Sequence, residues 1–194
     1  MFERVKKILI APKQEWTVIE GENTPYMKLF TGYVLPLSLI LAIAAFIGYG
    51  FIGVNYFGMR FHSIGFGIRQ AIIQWVAMVA GIFLTAAIVN LLAESFGAKK
   101  NYDRAFALVA YSYTPMFVAG IFLLLPSLSW LAMLAGLYGL VLLYLGMKPM
   151  MGAPDDKNTV YYIVSLLVTI VVTGVLMAIL TAILVSHTMM RGGL

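Results

Sequence analysis

Residues 105–147 read AFALVAYSYTPMFVAGIFLLLPSLSWLAMLAGLYGLVLLYLGM, 43 positions without one Asp, Glu, Lys or Arg. A helix crosses the hydrocarbon core with about 20 residues, so this stretch holds two crossings. Pro126-Ser127 near its middle supplies the break at which a tight hairpin turns, which predicts spans over 105–125 and 128–147. Three further charge-free stretches, 29–59, 70–93 and 158–190, predict spans over 29–51, 68–93 and 160–185. Barrel strands alternate apolar and polar residues over about ten positions. These runs are apolar on every face, and only helices satisfy their own backbone over such lengths in lipid. The reading is an all-α integral membrane protein: a five-helix transmembrane bundle (29–194) preceded by a cytoplasmic amphipathic segment (1–28) of interfacial helices.

Composition agrees. Of 194 residues, 62% are hydrophobic and 11% charged, against roughly 25% charged in a soluble domain. The formal charge of +5 comes from scattered basic residues beside apolar runs, a pattern for anionic lipid surfaces and not for nucleic acid. The apolar run after Lys7 is too short for a signal peptide, so no cleavage is expected. With no cysteine there is no thiolate metal site or cysteine nucleophile.

Short loops rich in Lys and Arg stay in the cytoplasm. Arg4, Lys6, Lys7, Lys13, Lys28, Lys99, Lys100, Arg104, Lys148 and Lys157 fall on one side, and Arg60, Arg69 and Arg191 on the other. This split places the N-terminus inside and the C-terminus outside. All eight acidic residues share the inner side, which marks it as the face for partners.

Phe2, Val5, Ile8 and Leu9 recur at helical spacing among Glu3, Arg4, Lys6 and Lys7, the pattern of a helix lying on a membrane surface. A second helix is expected to start at Pro12 and stop at Gly21, with Trp16 and Ile19 as an interfacial anchor. Between the first two spans, Gly48, Gly50, Gly53, Gly58, Gly65 and Gly67 alternate with aromatic residues, which predicts a loop folded back over the outer surface. A re-entrant segment is its rival.

Ionisable groups in hydrocarbon mark ion paths and catalytic sites, and the predicted spans hold none at mid-membrane. His62 and His187 are too isolated for zinc, which takes three or four clustered ligands, so no metal or cofactor is expected. Serines and threonines occur in the spans without a base or an aspartate pair, so the chain reads as no enzyme. Gln70, Gln74, Ala77, Gly81 and Thr85 share one face of the second span, and Ser165, Thr169 and Thr173 one face of the fifth. Such faces pack helices closely or line a path. In the third span, Pro115 obstructs the carbonyl of Tyr111 and should kink the helix, leaving the Ser112 or Thr114 hydroxyl to serve the freed carbonyls.

The run Gly97-Ala98-Lys99-Lys100-Asn101-Tyr102, then Ala105-Phe106, Ala110-Tyr111-Ser112 and Pro115, resembles the Yip family of membrane proteins, named for interaction with Ypt/Rab GTPases. Ala11-Pro12-Lys13-Gln14-Glu15-Trp16 is similar to its bacterial members. The resemblance implies five spans, an inner N-terminus and a non-enzymatic role. Eukaryotic members are membrane scaffolds of vesicle traffic. This sequence departs from them in lacking the long cytoplasmic domain and the acidic Asp-Leu-Tyr-Gly-Pro-type motif before the first span, so Rab binding is not carried over. The resulting expectation is an inner-membrane scaffold or adaptor that docks partners through Glu94, Asp103, Tyr111, Ser112 and Pro115. Its expected partners are the bilayer, a membrane or cytoplasmic protein, and further copies of itself. The rival is an oligomeric channel or small-solute permease lined by Gln70, Gln74, Gly81 and Thr85.

Overall fold

A computed structural model describes residues 1–56 and 59–191, with side chains described outside 54–61 and 177–191. Five helical segments are long and apolar enough to cross a membrane: Tyr26–Ile52, Ile64–Leu92, Tyr102–Leu124, Pro126–Met151 and Asp155–Leu176. They are numbered spans 1 to 5 below, the last belonging to a helix that continues to Arg191. The expected all-α five-span architecture is borne out. The chain turns between spans 3 and 4 at Leu125-Pro126, as the proline predicts.

Span boundaries follow local chemistry. Gly97 (φ 72°) and Gly152 (φ 64°) take the left-handed conformation that ends the chain's run before spans 3 and 5. The Asn101 side chain accepts from the Arg104 N–H at 3.1 Å and caps span 3, and Ser63 does the same for Phe66 at the start of span 2. In span 1, Pro36 cannot donate to the carbonyl four residues back. The preceding Phe30–Val34 segment widens into a π-helical turn, with Leu35 N–H bonded to Phe30 O.

Packing is uneven. Span 3 lies at the centre between spans 2 and 4, and span 1 packs on span 2; span 5 bridges spans 2 and 4 from outside. Spans 2 and 4 share no packed face, which leaves a gap between them.

Two regions differ from the sequence reading. Helices α1 (Phe2–Ile10) and α2 (Pro12–Glu20) form, because Ala11 before Pro12 is held out of the helical region at φ −131°. They form a hairpin seated in the bundle, not two helices spread on a surface. Helix α2 packs along span 4 and α1 touches Thr114–Ala119 in span 3. The Tyr138 hydroxyl donates to Leu9 O at 2.8 Å. Tyr138 lies thirteen residues before the end of span 4, about 20 Å along the helix, so the turn of the hairpin reaches well into the bundle. Trp16, expected as an interfacial anchor, is 1% exposed. Its ring fills the notch at Gly146, where a Cβ would lie 2.6 Å from it. Amphipathic spacing indicates that one face is buried, and here that face found helices instead of lipid.

The second difference concerns the glycines. Gly48 and Gly50 belong to a π-helical end of span 1 that runs to Ile52, and Gly53 (φ 78°) turns the chain away. A Cβ at Gly48 would come within 1.9 Å of Leu123 O, and one at Gly67 within 2.6 Å of the Gly50 Cα. These glycines let backbones touch where spans 1, 2 and 3 converge. Strands β1 (Val54–Tyr56) and β2 (Met59–Phe61) form a short antiparallel pair beyond them. Expectations for Phe57, Gly58 and the side chains of Tyr56, Phe61 and His187 fall outside the described residues.

Candidate functional site

The stretch Tyr111-Ser112-Tyr113-Thr114-Pro115 sends each of its side chains to a different neighbour. The helix of span 3 breaks at Tyr113, between Tyr102–Ser112 and Thr114–Ala119, with Pro115 in the first turn of the second piece. This is the expected kink, resolved differently from the prediction. The Ser112 hydroxyl donates to Leu108 O at 2.7 Å, while the Thr114 hydroxyl pairs with Tyr33 of span 1 at 2.7 Å.

Tyr111 is the hub. Its ring meets Tyr33 at 4.9 Å and Trp16 at 6.3 Å, both edge to face. The Arg4 guanidinium stands 5.7 Å from the ring centroid, within reach of the ring's negative face. Arg4 donates to Glu15 at 2.6 Å and is also bonded to Glu22. Burial opposes the charge on Arg4, but the bond to Glu22, with Tyr111 and Glu15 nearby, outweighs it and raises its pKa above the ordinary range.

Glu15 is 6% exposed. The hairpin therefore carries a paired charge into the bundle, a feature that the expectation for the spans, no ionisable group at mid-membrane, did not address. The charges belong to α1 and α2, so hydropathy of the spans could not reveal them. The available signal was Glu15 beside Trp16 and four residues before Ile19, on a face that is otherwise apolar.

At the lysine-rich end, a cleft of about 190 Å³ opens beside this hub, lined among others by Glu22, Asn23, Asn101, Asp103, Arg104 and Tyr111. Asp103 accepts from the Tyr26 N–H at 2.7 Å, and Arg104 donates to Glu20 O at 3.4 Å. The structure thus unites Asp103 and Tyr111. Glu94 sits apart, exposed in the turn Glu94–Phe96. Ser112 faces another cavity, and Pro115 is buried in the kink.

That other cavity, about 320 Å³, is bounded by Thr85, Ser112, Tyr113, Met116, Gly136 and Gly139, with further apolar residues. A third, about 450 Å³, includes Tyr49, Gln74, Ala77, Tyr113, Met116 and Ser129 in its wall. Both touch Tyr113 and Met116. Of the expected polar face of span 2, Gln74 and Thr85 line cavities. Gly81 gives room to Tyr113, whose hydroxyl lies 3.5 Å from where a Cβ would stand. Gln70 is half-buried and lines neither cavity. The hydroxyl row of span 5 is packed at Ser165 but exposed at Thr173. Among the described residues, no three His, Asp or Glu gather as a metal would need.

The chain is 28% identical over 163 residues to inner membrane protein YohC of Escherichia coli K12, covering 81% of this chain and 83% of that protein. The protein of the same name from Escherichia coli O6:H1 (strain CFT073) matches to the same extent. Neither description names a reaction. No solved structure matches. The Yip1 domain pattern matches residues 6–185, from the seated hairpin through all five spans, and the chain belongs to the Yip1 domain family.

Proposed function

We propose that this protein is a non-enzymatic scaffold or adaptor of a bacterial inner membrane, and that its lysine-rich end is a docking platform for a membrane or cytoplasmic protein. In this reading the N-terminus and the platform lie in the cytoplasm and the C-terminus outside, following the lysine and arginine bias. One observation carries the proposal: the connecting segments at this end are tied into a single surface. Lys99 N–H donates to Met151 O at 2.8 Å, joining the segments before spans 3 and 5. The Arg104–Glu20 bond joins the end of the hairpin to span 3, and the Tyr26–Asp103 bond joins the start of span 1 to it. Glu94, Lys99, Lys100, Asp103, Asp155 and Asp156 stand exposed on it, a mixed-sign surface that favours selective partners over bulk polyanions. Tyr111, Ser112 and Pro115 hold its shape from beneath. Further copies of the chain are the second class of partner.

The test places a photo-crosslinking residue at Lys100 or Glu94, with Leu137 on the apolar face as control, in the native membrane. A discrete protein adduct confined to the platform, weakened by Glu94→Ala with Lys100→Glu, is the expected result. Platform probes that give the same adducts as Leu137, unchanged by those substitutions, would rule the docking role out. A channel or permease is the second reading, favoured by the two cavities that meet at Tyr113 between Gln74 and Thr85. Solute flux in liposomes, abolished by Gln74→Leu, would replace the scaffold with it.

A further inference from the structure

We infer that the gap between spans 2 and 4 is a binding crevice for a membrane lipid, with one acyl chain lying against Tyr113 and the polar part at the Tyr49–Gln74–Ser129 end. The two cavities of about 320 and 450 Å³ share Tyr113 and Met116 in their walls, so a chain that passes these two side chains occupies both. On span 4 the two together run from Ser129 to Leu143, about 21 Å at 1.5 Å per residue. That is a long, narrow shape. A helix, about 10 Å across, does not fit within such volumes, which argues against a span from a second copy.

The crevice opens sideways into hydrocarbon. Ala77 and Ser129 line it and are exposed, and Leu140 lines it at 39% exposure. Spans 2 and 4 share no packed face across it. Among the described residues, span 5 crosses the gap toward the lysine-rich end, where the Tyr162 hydroxyl donates to Leu140 O at 3.1 Å and the Tyr161 hydroxyl donates to Val89 O. Farther along, Leu167, Ile170 and Val171 of span 5 are 57–65% exposed.

Chemistry selects the occupant. No charged residue lines either cavity, so an ion or a charged solute would lose its hydration without a counter-charge. The polar side chains divide between the cavities. Tyr49, Gln74 and Ser129 line the larger one. In the smaller one, Thr85, Ser112 and Tyr113 stand beside Leu140 and Leu143, but Ser112 spends its hydroxyl on Leu108 O and the Tyr113 and Thr85 hydroxyls are paired. An amphiphile with ester or hydroxyl groups in the larger cavity and hydrocarbon in the smaller one matches that division. Gly136 and Gly139 form the floor: a Cβ at Gly139 would clash with Ser112 O at 2.8 Å, whereas one at Gly136 would meet only Met116 Sδ at 3.5 Å. Gly136 therefore accepts a methyl group, and its lack of a larger side chain leaves the space empty.

The experiment is native mass spectrometry of the full chain in mild detergent, titrated with phosphatidylethanolamine of defined chain length. The wild type should retain one lipid after annular lipid is removed. Gly136→Leu and Ala132→Leu should lower its retention at least tenfold, while Gly136→Ala and Met133→Leu, on the exposed face of span 4, should keep it. Thermal melting of each variant shows whether it folds, and Leu140→Trp at the mouth serves if Gly136→Leu does not. Folded Ala132→Leu or Leu140→Trp protein that binds lipid like the wild type overturns the inference. So does lipid that washes off every variant at one rate, or a polar solute or a second copy recovered in place of lipid. Each outcome is independent of the docking platform.

Discussion

Spans 3 and 5 both carry charge only in their first turn, yet they live in different solvents. Span 3 has a mean hydropathy of 1.7 and 67% of its apolar window buried in protein; span 5 has 2.2 and 11%. The less hydrophobic helix is the central one. Lipid tails reward apolar surface as well as a protein interior does, so hydropathy sorts helices by access to lipid and not by importance to the fold. A central helix must instead meet helices on all sides, and small or hydrogen-bonding side chains allow that. Span 3 has Ala105, Ala107 and Ala110, all under 7% exposed, and then the five consecutive residues around Tyr113.

Four substitutions test whether the difference is energetic as well as geometric. The largest effect should come from Trp16→Ala, which empties the notch at Gly146 against span 4. Loss of a buried aromatic ring costs about 3–5 kcal/mol, so the thermal transition in detergent should fall steeply, while Trp130→Ala, 57% exposed, should barely move it. Equal shifts for the two tryptophans would mean that the hairpin is not seated. Next, Arg4→Ala leaves Glu15 buried without its partner and should cost about 2–3 kcal/mol. Adding Glu15→Gln to that variant should recover part of the loss, and a double mutant worse than the single would break the pairing argument. Third, Tyr33→Phe removes the bond to Thr114 and should cost about 1 kcal/mol, with Thr114→Val adding little more. The smallest effect belongs to span 5, where Ile170→Ala should stay within about 0.5 kcal/mol. A larger loss there would show that its exposed face is covered by protein in the assembled state.

The five spans were legible because charge-free runs of this length have one physical outcome. The proline break at Pro126 and the kink near Pro115 were legible for the same reason: a missing N–H acts locally. What could not be read was which partner an amphipathic face would choose. The N-terminal helices show the right period, but period alone does not separate a lipid surface from a groove between spans 3 and 4. Gly146, which makes that groove, lies 130 positions after Trp16. Glu15 escaped notice because a carboxylate on a short polar segment looks solvated until its helix is placed. Of the site residues named from sequence, Asp103 and Tyr111 meet in one cleft, Gln74 and Thr85 line the crevice, and Glu94 joins neither. Helical spacing relates residues on one helix; it is silent on turns such as Glu94–Phe96.

The hydrogen bond from Tyr138 to Leu9 spans 129 positions of sequence, and this imposes an order on biogenesis. Synthesis runs at about 5–20 residues per second, so the hairpin leaves the ribosome roughly ten seconds before its seat in span 4 exists. During that interval its apolar face needs a temporary home, and a helix of this pattern finds one at the membrane surface. The residues made first wait for span 4 before they are seated, and a bulky fusion at the N-terminus acts on that step.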